Sequence, residues 1–252
     1  MYNFKPSLKI MIFQRWLFLV IYYMKKYIPN TLTCLNLFSG CAGVLFALKG
    51  EFQYTFYCVL FSGICDFFDG MAARALHVKS TIGKELDSLA DMISFGFLPG
   101  AVIYFLLKEI NTEMSWLPYL AFVMTVFSGL RLAKFNVDER QSTDFIGLNT
   151  PMNTFYIISL PFIAQIYPEI IMNNVFLLVT VVLSSALLVS ELRLFSMKLS
   201  SLSWKANQFK YLFLILSIVL LGLLKFLAIP FILLAYIVFS IIHFRTLRQD
   251  KD

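Results

Sequence analysis

The chain has 252 residues, of which 59% are hydrophobic and only 14% charged, whereas an ordinary soluble domain carries roughly 25% charge. This composition excludes a soluble globular domain and points to a polytopic membrane protein. The formal net charge of +6 does not indicate nucleic-acid binding, because the Lys and Arg residues sit in short clusters between apolar runs rather than on one basic face.

In chain order, Ile10–Tyr23 is apolar but short for a span and interrupted by Arg15. Residues 1–24 are therefore expected to be an N-terminal extension or an interfacial segment, with a second natural beginning at Met24. Eight spans follow, at 33–49, 53–74, 84–107, 116–135, 151–167, 171–191, 209–226 and 228–244. The expected fold is all-α, a polytopic transmembrane helix bundle occupying residues 25–245, with a cytoplasmic tail at 246–252. The connections at Lys49–Phe52, at Tyr167–Ile170 and near Ala228 are short enough to pair neighbouring helices as hairpins. Placing the N-terminus inside gives fifteen of the 21 Lys and Arg residues to one set of connections, Arg74, Lys84, Arg131 and Arg193 among them, against Lys49, Lys108 and Lys225 on the other. By the positive-inside rule both termini face the cytoplasm. Cys34, Cys41, Cys58 and Cys65 all fall in apolar runs without metal-type spacing, and read as small buried hydrophobes.

Charge inside a span is costly, about 2.5–3.5 kcal/mol per residue on insertion scales. Two neighbouring spans nevertheless carry four aspartates. Asp66 and Asp69 lie three apart on one helix, and Asp87 and Asp91 four apart on the next, so each pair shares a helix face. Four clustered carboxylates stay ionised only with strong positive charge among them. Hard oxygen donors favour magnesium, manganese or calcium, and a carboxylate-bound metal pair suits a diphosphate substrate. Gly70 and Ala73, near the aspartate face, and Gly83, at the start of the following helix, leave room for a ligand close to the backbone. Arg74, one turn past Gly70, can grip phosphate bidentately.

The run from Asp66 to Asp91 fits the pattern D-x2-D-G-x2-A-R-x8-G-x3-D-x3-D at every fixed position. It resembles the signature of the CDP-alcohol phosphatidyltransferase family. The resemblance implies a six-helix catalytic core, often homodimeric, in the cytoplasmic (inner) membrane. It implies two divalent ions, Mg2+ or Mn2+, held by Asp66, Asp69 and Asp87. Asp91 would be a further metal ligand, the catalytic base, or both. Asp66, Asp69 and Arg74 would bind the diphosphate, and Gly70, Ala73 and Gly83 would accommodate the cytidine nucleotide.

Further stretches resemble the serine-using branch of that family: IPNTLTCLNLFSG at 28–40, LDSLADMISFGFLPG at 86–100, SGLRLAKFNV at 128–137, FIGLNTPMN at 145–153 and LLVSELRLFSMK at 187–198. The branch's usual Gly-Leu-Pro appears here as Gly147-Leu148-Asn149. This implies CDP-diacylglycerol as donor from the lipid phase and L-serine as acceptor. Arg131 and Lys134 are candidate acceptor-binding residues, with membrane anchoring as the alternative. Asn30, Thr33 and Asn36 suit either the nucleotide site or interhelical hydrogen bonds, and His77 and His243 are not expected to act in catalysis. Two competing readings are transfer to glycerol 3-phosphate or an inositol phosphate, and a cation-coupled transporter built on the aspartates.

Overall fold

The computed structural model describes residues 8–78, 80–111, 113–138, 144–196 and 204–249. The rest of the expected N-terminal segment and tail, residues 1–7 and 250–252, lies outside the described residues. The fold is a bundle of helices: α1 Leu8–Ala47, α2 Phe52–Ala75, α3 Thr81–Asp91, α4 Leu98–Ile110, α5 Phe122–Val137, α6 Thr150–Ala164, the short α7 Pro168–Ile171, α8 Asn174–Val189, α9 Trp204–Leu224 and α10 Ala228–Gln249. A π-helical turn, Met92–Phe97, joins α3 to α4, and a 3-10 turn, Leu117–Ala121, leads into α5.

Each of the eight predicted spans falls on helix. Among the described residues, five apolar stretches are long enough to cross a membrane, namely Tyr27–Ala47, Phe52–Ala75, Thr81–Ile110, Leu117–Val137 and Asn207–Thr246. The last holds two predicted spans, folded back as α9 and α10 across the 3-10 turn Lys225–Leu227. The spans expected at 151–167 and 171–191 form the shorter α6 and α8, of 15 and 16 residues. A lone crossing helix needs about 20 residues. The first turns of α6 and its Thr154 and Ser159 are buried in the bundle, so protein rather than lipid surrounds much of it.

The core lies where α4 runs through the bundle. Phe95, Leu98, Ala101, Val102, Ile103 and Leu107 are fully buried there, packed with Ile157, Ile158 and Leu177. Large apolar side chains such as Phe38, Leu45, Phe67 and Val182 point outward, as a lipid-facing surface requires. A second cluster, built on Leu148, Phe195, Phe213 and Tyr236, docks α9 and α10 onto the rest. At one end of the bundle Asn111 and Asn174 exchange side-chain amide hydrogen bonds of 2.6 and 2.9 Å, tying α4 to α8.

The cysteine expectation is corrected in part. None forms a disulfide, but only Cys65 is buried, and Cys34 and Cys41 are exposed on the outer side of α1. A small thiol costs little against lipid, so an apolar run did not have to mean an interior position. A two-residue antiparallel pairing was also not foreseen: β1 Phe145–Ile146 pairs with β2 Arg193–Leu194.

Candidate active site

The site forms where α1, α2 and α3 meet. α2 ends in a Schellman turn: Val78 N–H donates to the Ala73 carbonyl, His77 N–H donates to that of Arg74, and His77 takes the left-handed conformation at φ 53°. Ser80 then caps α3, its hydroxyl accepting from Gly83 N–H at 3.2 Å. This tight reversal brings the aspartate face of α2 against that of α3, as the spacing predicts.

Carboxylate oxygens of Asp66, Asp69 and Asp87 converge within 4.8 Å of one another. Thr33 of α1 donates to Asp69 Oδ2 at 2.6 Å, fixing that carboxylate. Asp87 Oδ1 is buried with no hydrogen-bond partner among the described residues. A buried carboxylate oxygen left without a partner is costly unless a cation satisfies it. The all-oxygen donor set and this open valence fit a hard divalent ion.

Asp91, expected beside the other three, is not part of that group of three. Its Oδ1 accepts from Asn36 Nδ2 at 3.4 Å, and Asn36 itself is fully buried on α1. The Asn36 carbonyl accepts in turn from Ser62 of α2 and Ser94 of the π turn, at 3.2 and 3.0 Å. The π turn has carbonyls that a regular helix would satisfy internally. Thr154 of α6 donates to the Phe95 carbonyl at 2.9 Å, and Thr125 of α5 to that of Gly96 at 3.1 Å. Three helices thus hold the irregular turn that follows Asp91, and π turns recur at functional sites.

A cleft of about 500 Å³ opens over Asp69 and Asp87. Asp69, Gly70, Ala73, Gly83 and Asp87 line it, together with Asn30, Thr33, Ser80 and Lys84. A Cβ on Gly83 would lie 3.0 Å from Asn30 Oδ1, so a side chain there would crowd the Asn30 amide at the cleft wall. The Arg74 guanidinium folds back toward Gly70, 3.4 Å from where a Cβ there would lie. The N-terminus of α3 faces this cleft with Ser80, Thr81 and Gly83, and a helix N-terminus favours anions. Lys84 was missed as a site residue. It follows the signature's second glycine, and its Nζ donates to the Asn136 carbonyl at 2.8 Å, linking α3 to α5.

Arg131 and Lys134 line a second, smaller pocket of about 240 Å³. Arg131 is only 6% exposed, which argues against the anchoring alternative, and its Nε has no hydrogen-bond partner among the described residues. The two histidines have other surroundings: His77 turns the chain after α2, and His243 packs edge-on against Phe209 and Phe195.

A bundle with this carboxylate cleft between two adjacent helices defines a class. The chain matches the CDP-alcohol phosphatidyltransferase family over residues 26–186 and belongs to it. That family is divalent-metal dependent, which agrees with the donor set. Among curated relatives, the chain is 28% identical over 218 residues to a CDP-diacylglycerol–serine O-phosphatidyltransferase of Helicobacter pylori, covering 85% of this chain and 90% of the relative. It is 31% identical over 141 residues to the protein of that name from Bacillus subtilis, covering 54% and 76%. Against the one from Saccharomyces cerevisiae it is 36% identical over 125 residues, covering 46% and 43%.

Proposed function

We propose that the protein transfers the phosphatidyl group of CDP-diacylglycerol to the hydroxyl of L-serine, giving phosphatidylserine and CMP. The carrying observation is the convergence of the Asp66, Asp69 and Asp87 carboxylates within 4.8 Å, with Asp69 and Asp87 lining a nucleotide-sized cleft. The serine-specific names of relatives at 28–36% identity support the acceptor.

Asp66, Asp69 and Asp87 would hold the metal, two Mg2+ or Mn2+ ions in this proposal. Bound there, such ions neutralise the diphosphate, make the phosphatidyl phosphorus more electrophilic and stabilise the leaving oxygen. The remaining work belongs to the chain. Thr33 keeps Asp69 aimed into the cleft. Gly70, Ala73 and Gly83 leave the cytidine its space, while Arg74 and the α3 N-terminus attract the diphosphate. Arg131 and Lys134 bind the serine carboxylate. The Asp91 carboxylate takes the hydroxyl proton as the serine oxygen bonds to phosphorus, and the bond from phosphorus to the CMP oxygen breaks. CMP is a good leaving group, so positioning and electrostatics carry most of the rate.

The test is to incubate purified protein with CDP-diacylglycerol, Mg2+ or Mn2+ and labelled serine, and to look for CMP and a labelled aminophospholipid. Product with glycerol 3-phosphate but none with serine would sink the serine reading. Asp66→Asn, Asp69→Asn and Asp87→Asn are each expected to abolish metal-dependent CDP-diacylglycerol binding together with turnover. Intact metal-dependent binding in all three would remove them as ligands.

The site is further proposed to face the cytoplasm in the inner membrane. The motive is the excess of Lys and Arg on the connections that share its side. A cysteine replacing Glu113 should then react with impermeant thiol reagent only from the opposite face. Labelling from the cytoplasm alone would reverse the orientation.

A further inference from the structure

The smaller pocket carries more than its two cations. Arg131, Lys134 and Asp138 stand at i, i+3 and i+7 along one face of α5 and its C-cap. Across the chain, Ser190 and Glu191 enter the same pocket from the end of α8. The charges of Arg131 and Asp91 interact, which links this pocket to the residue assigned as base.

The placement of Glu191 is built rather than incidental. Gly147 N–H donates to the Leu192 carbonyl at 2.8 Å, and Leu148 N–H to that of Leu187 at 2.9 Å. With the β1–β2 pairing, these bonds clamp residues 187–194 against 145–148. Gly147 has φ +75°, and a Cβ there would lie 2.6 Å from the Leu188 carbonyl oxygen. Only glycine lets the two segments approach so closely. The stretches FIGLNTPMN and LLVSELRLFSMK therefore meet each other, and together they fix one wall of the pocket.

We propose that Glu191 and Asp138 recognise the acceptor's ammonium group, while Arg131 and Lys134 take its carboxylate. The pocket would thereby select a zwitterionic amino acid and repel a dianionic alcohol phosphate. Four charged side chains of both signs around about 240 Å³ match a small molecule that carries both signs. A site meant for an alcohol phosphate gains nothing from two carboxylates, which would oppose its charge. The buried Nε of Arg131, which has no hydrogen-bond partner among the described residues, offers a donor for the anionic end. This inference rests on the serine reading above and adds the residues that enforce it.

The test uses the full-length protein in detergent or nanodiscs with CDP-diacylglycerol and metal, reading CMP release. The acceptors compared are L-serine, glycerate (a hydroxyl in place of the ammonium) and glycerol 3-phosphate. Glu191→Gln and Asp138→Asn are expected to raise the KM for serine by about tenfold or more, the loss of one charged hydrogen bond. They should leave KM for glycerate little changed or lower it, so the preference for serine over glycerate narrows. CDP-diacylglycerol affinity, measured alongside, should stay at the wild-type value and reports that the variants are folded. An unchanged serine KM and an unchanged serine-to-glycerate preference in both variants would overturn the inference while leaving serine transfer standing. Equal loss of CDP-lipid binding and of turnover with every acceptor would also overturn it, because the carboxylates would then be structural. If the wild-type protein releases CMP with glycerol 3-phosphate and not with serine, the serine reading itself fails and takes this inference with it.

Discussion

Asp91→Asn is expected to lower CMP release by about 10²–10⁴-fold, the usual contribution of a positioned general base, while CDP-diacylglycerol still binds in a metal-dependent way. The expectation comes from where the structure separates the four aspartates. Asp66, Asp69 and Asp87 converge as a donor set, and Asp91 stands outside it, held by Asn36 Nδ2. The amide oxygen introduced by the substitution can still accept from Asn36, so shape and local hydrogen bonding persist and only basicity is lost. The contact at 3.4 Å is long for a hydrogen bond, and such catalytic contacts commonly tighten only when substrate is bound. The discriminating comparison is with Asp66→Asn, which should lose binding and turnover together. CMP release near the wild-type rate from Asp91→Asn in the presence of serine would rule out the base role.

Much of this site was legible because helix periodicity is rigid. A spacing of three puts Asp66 and Asp69 on one face, and the glycine and alanine that follow fall on the wall of the same cleft. The same rule sets Asp91 one turn beyond Asp87. A spacing of four keeps Asp87 and Asp91 on one face, but it also separates them by about 6 Å along the axis. Asp91 thus falls one level along α3 from Asp87, opposite Asn36. The π turn was not legible, since nothing in the run Met92–Phe97 announces an extra residue per turn. It persists because the hydroxyls of Thr125 and Thr154 on other helices donate to its Gly96 and Phe95 carbonyls, and its own Ser94 hydroxyl ties it to the Asn36 carbonyl of α1. The β1–β2 pairing was hidden for a related reason: two residues are too few for alternation to register, and the partner lies about fifty positions away. Span lengths were overestimated at α6 and α8 because an apolar run counts residues in turns as well as in helix, here around Tyr167 and Asn173.

Gly40→Ala and Gly63→Ala are expected to have opposite effects on stability, although both place alanine for glycine inside a helix. On propensity alone each change should stabilise by about 0.8–1 kcal/mol. At Gly63 on α2 no atom lies within 4 Å of an added Cβ, so the propensity gain should survive. At Gly40 on α1 the new Cβ would lie 2.9 Å from Ser94 Cα. The obstacle is backbone of the π turn, which other helices pin in place, and not the end of a side chain that could rotate away. Relief requires α1 to move from the turn, an overpacking strain of about 1–3 kcal/mol that outweighs the propensity gain. That movement would also stretch the bond from Ser94 Oγ to the Asn36 carbonyl and carry Asn36 away from Asp91. Gly40→Ala should therefore lower both the melting temperature in detergent and the rate of CMP release, and Gly40→Val should do so more strongly. Gly63→Ala should raise the melting temperature, with normal turnover. Equal melting temperatures for Gly40→Ala and Gly63→Ala would mean that α1 does not rest on the π turn at Ser94, and the support assigned to Asn36 and Asp91 would have to come from elsewhere.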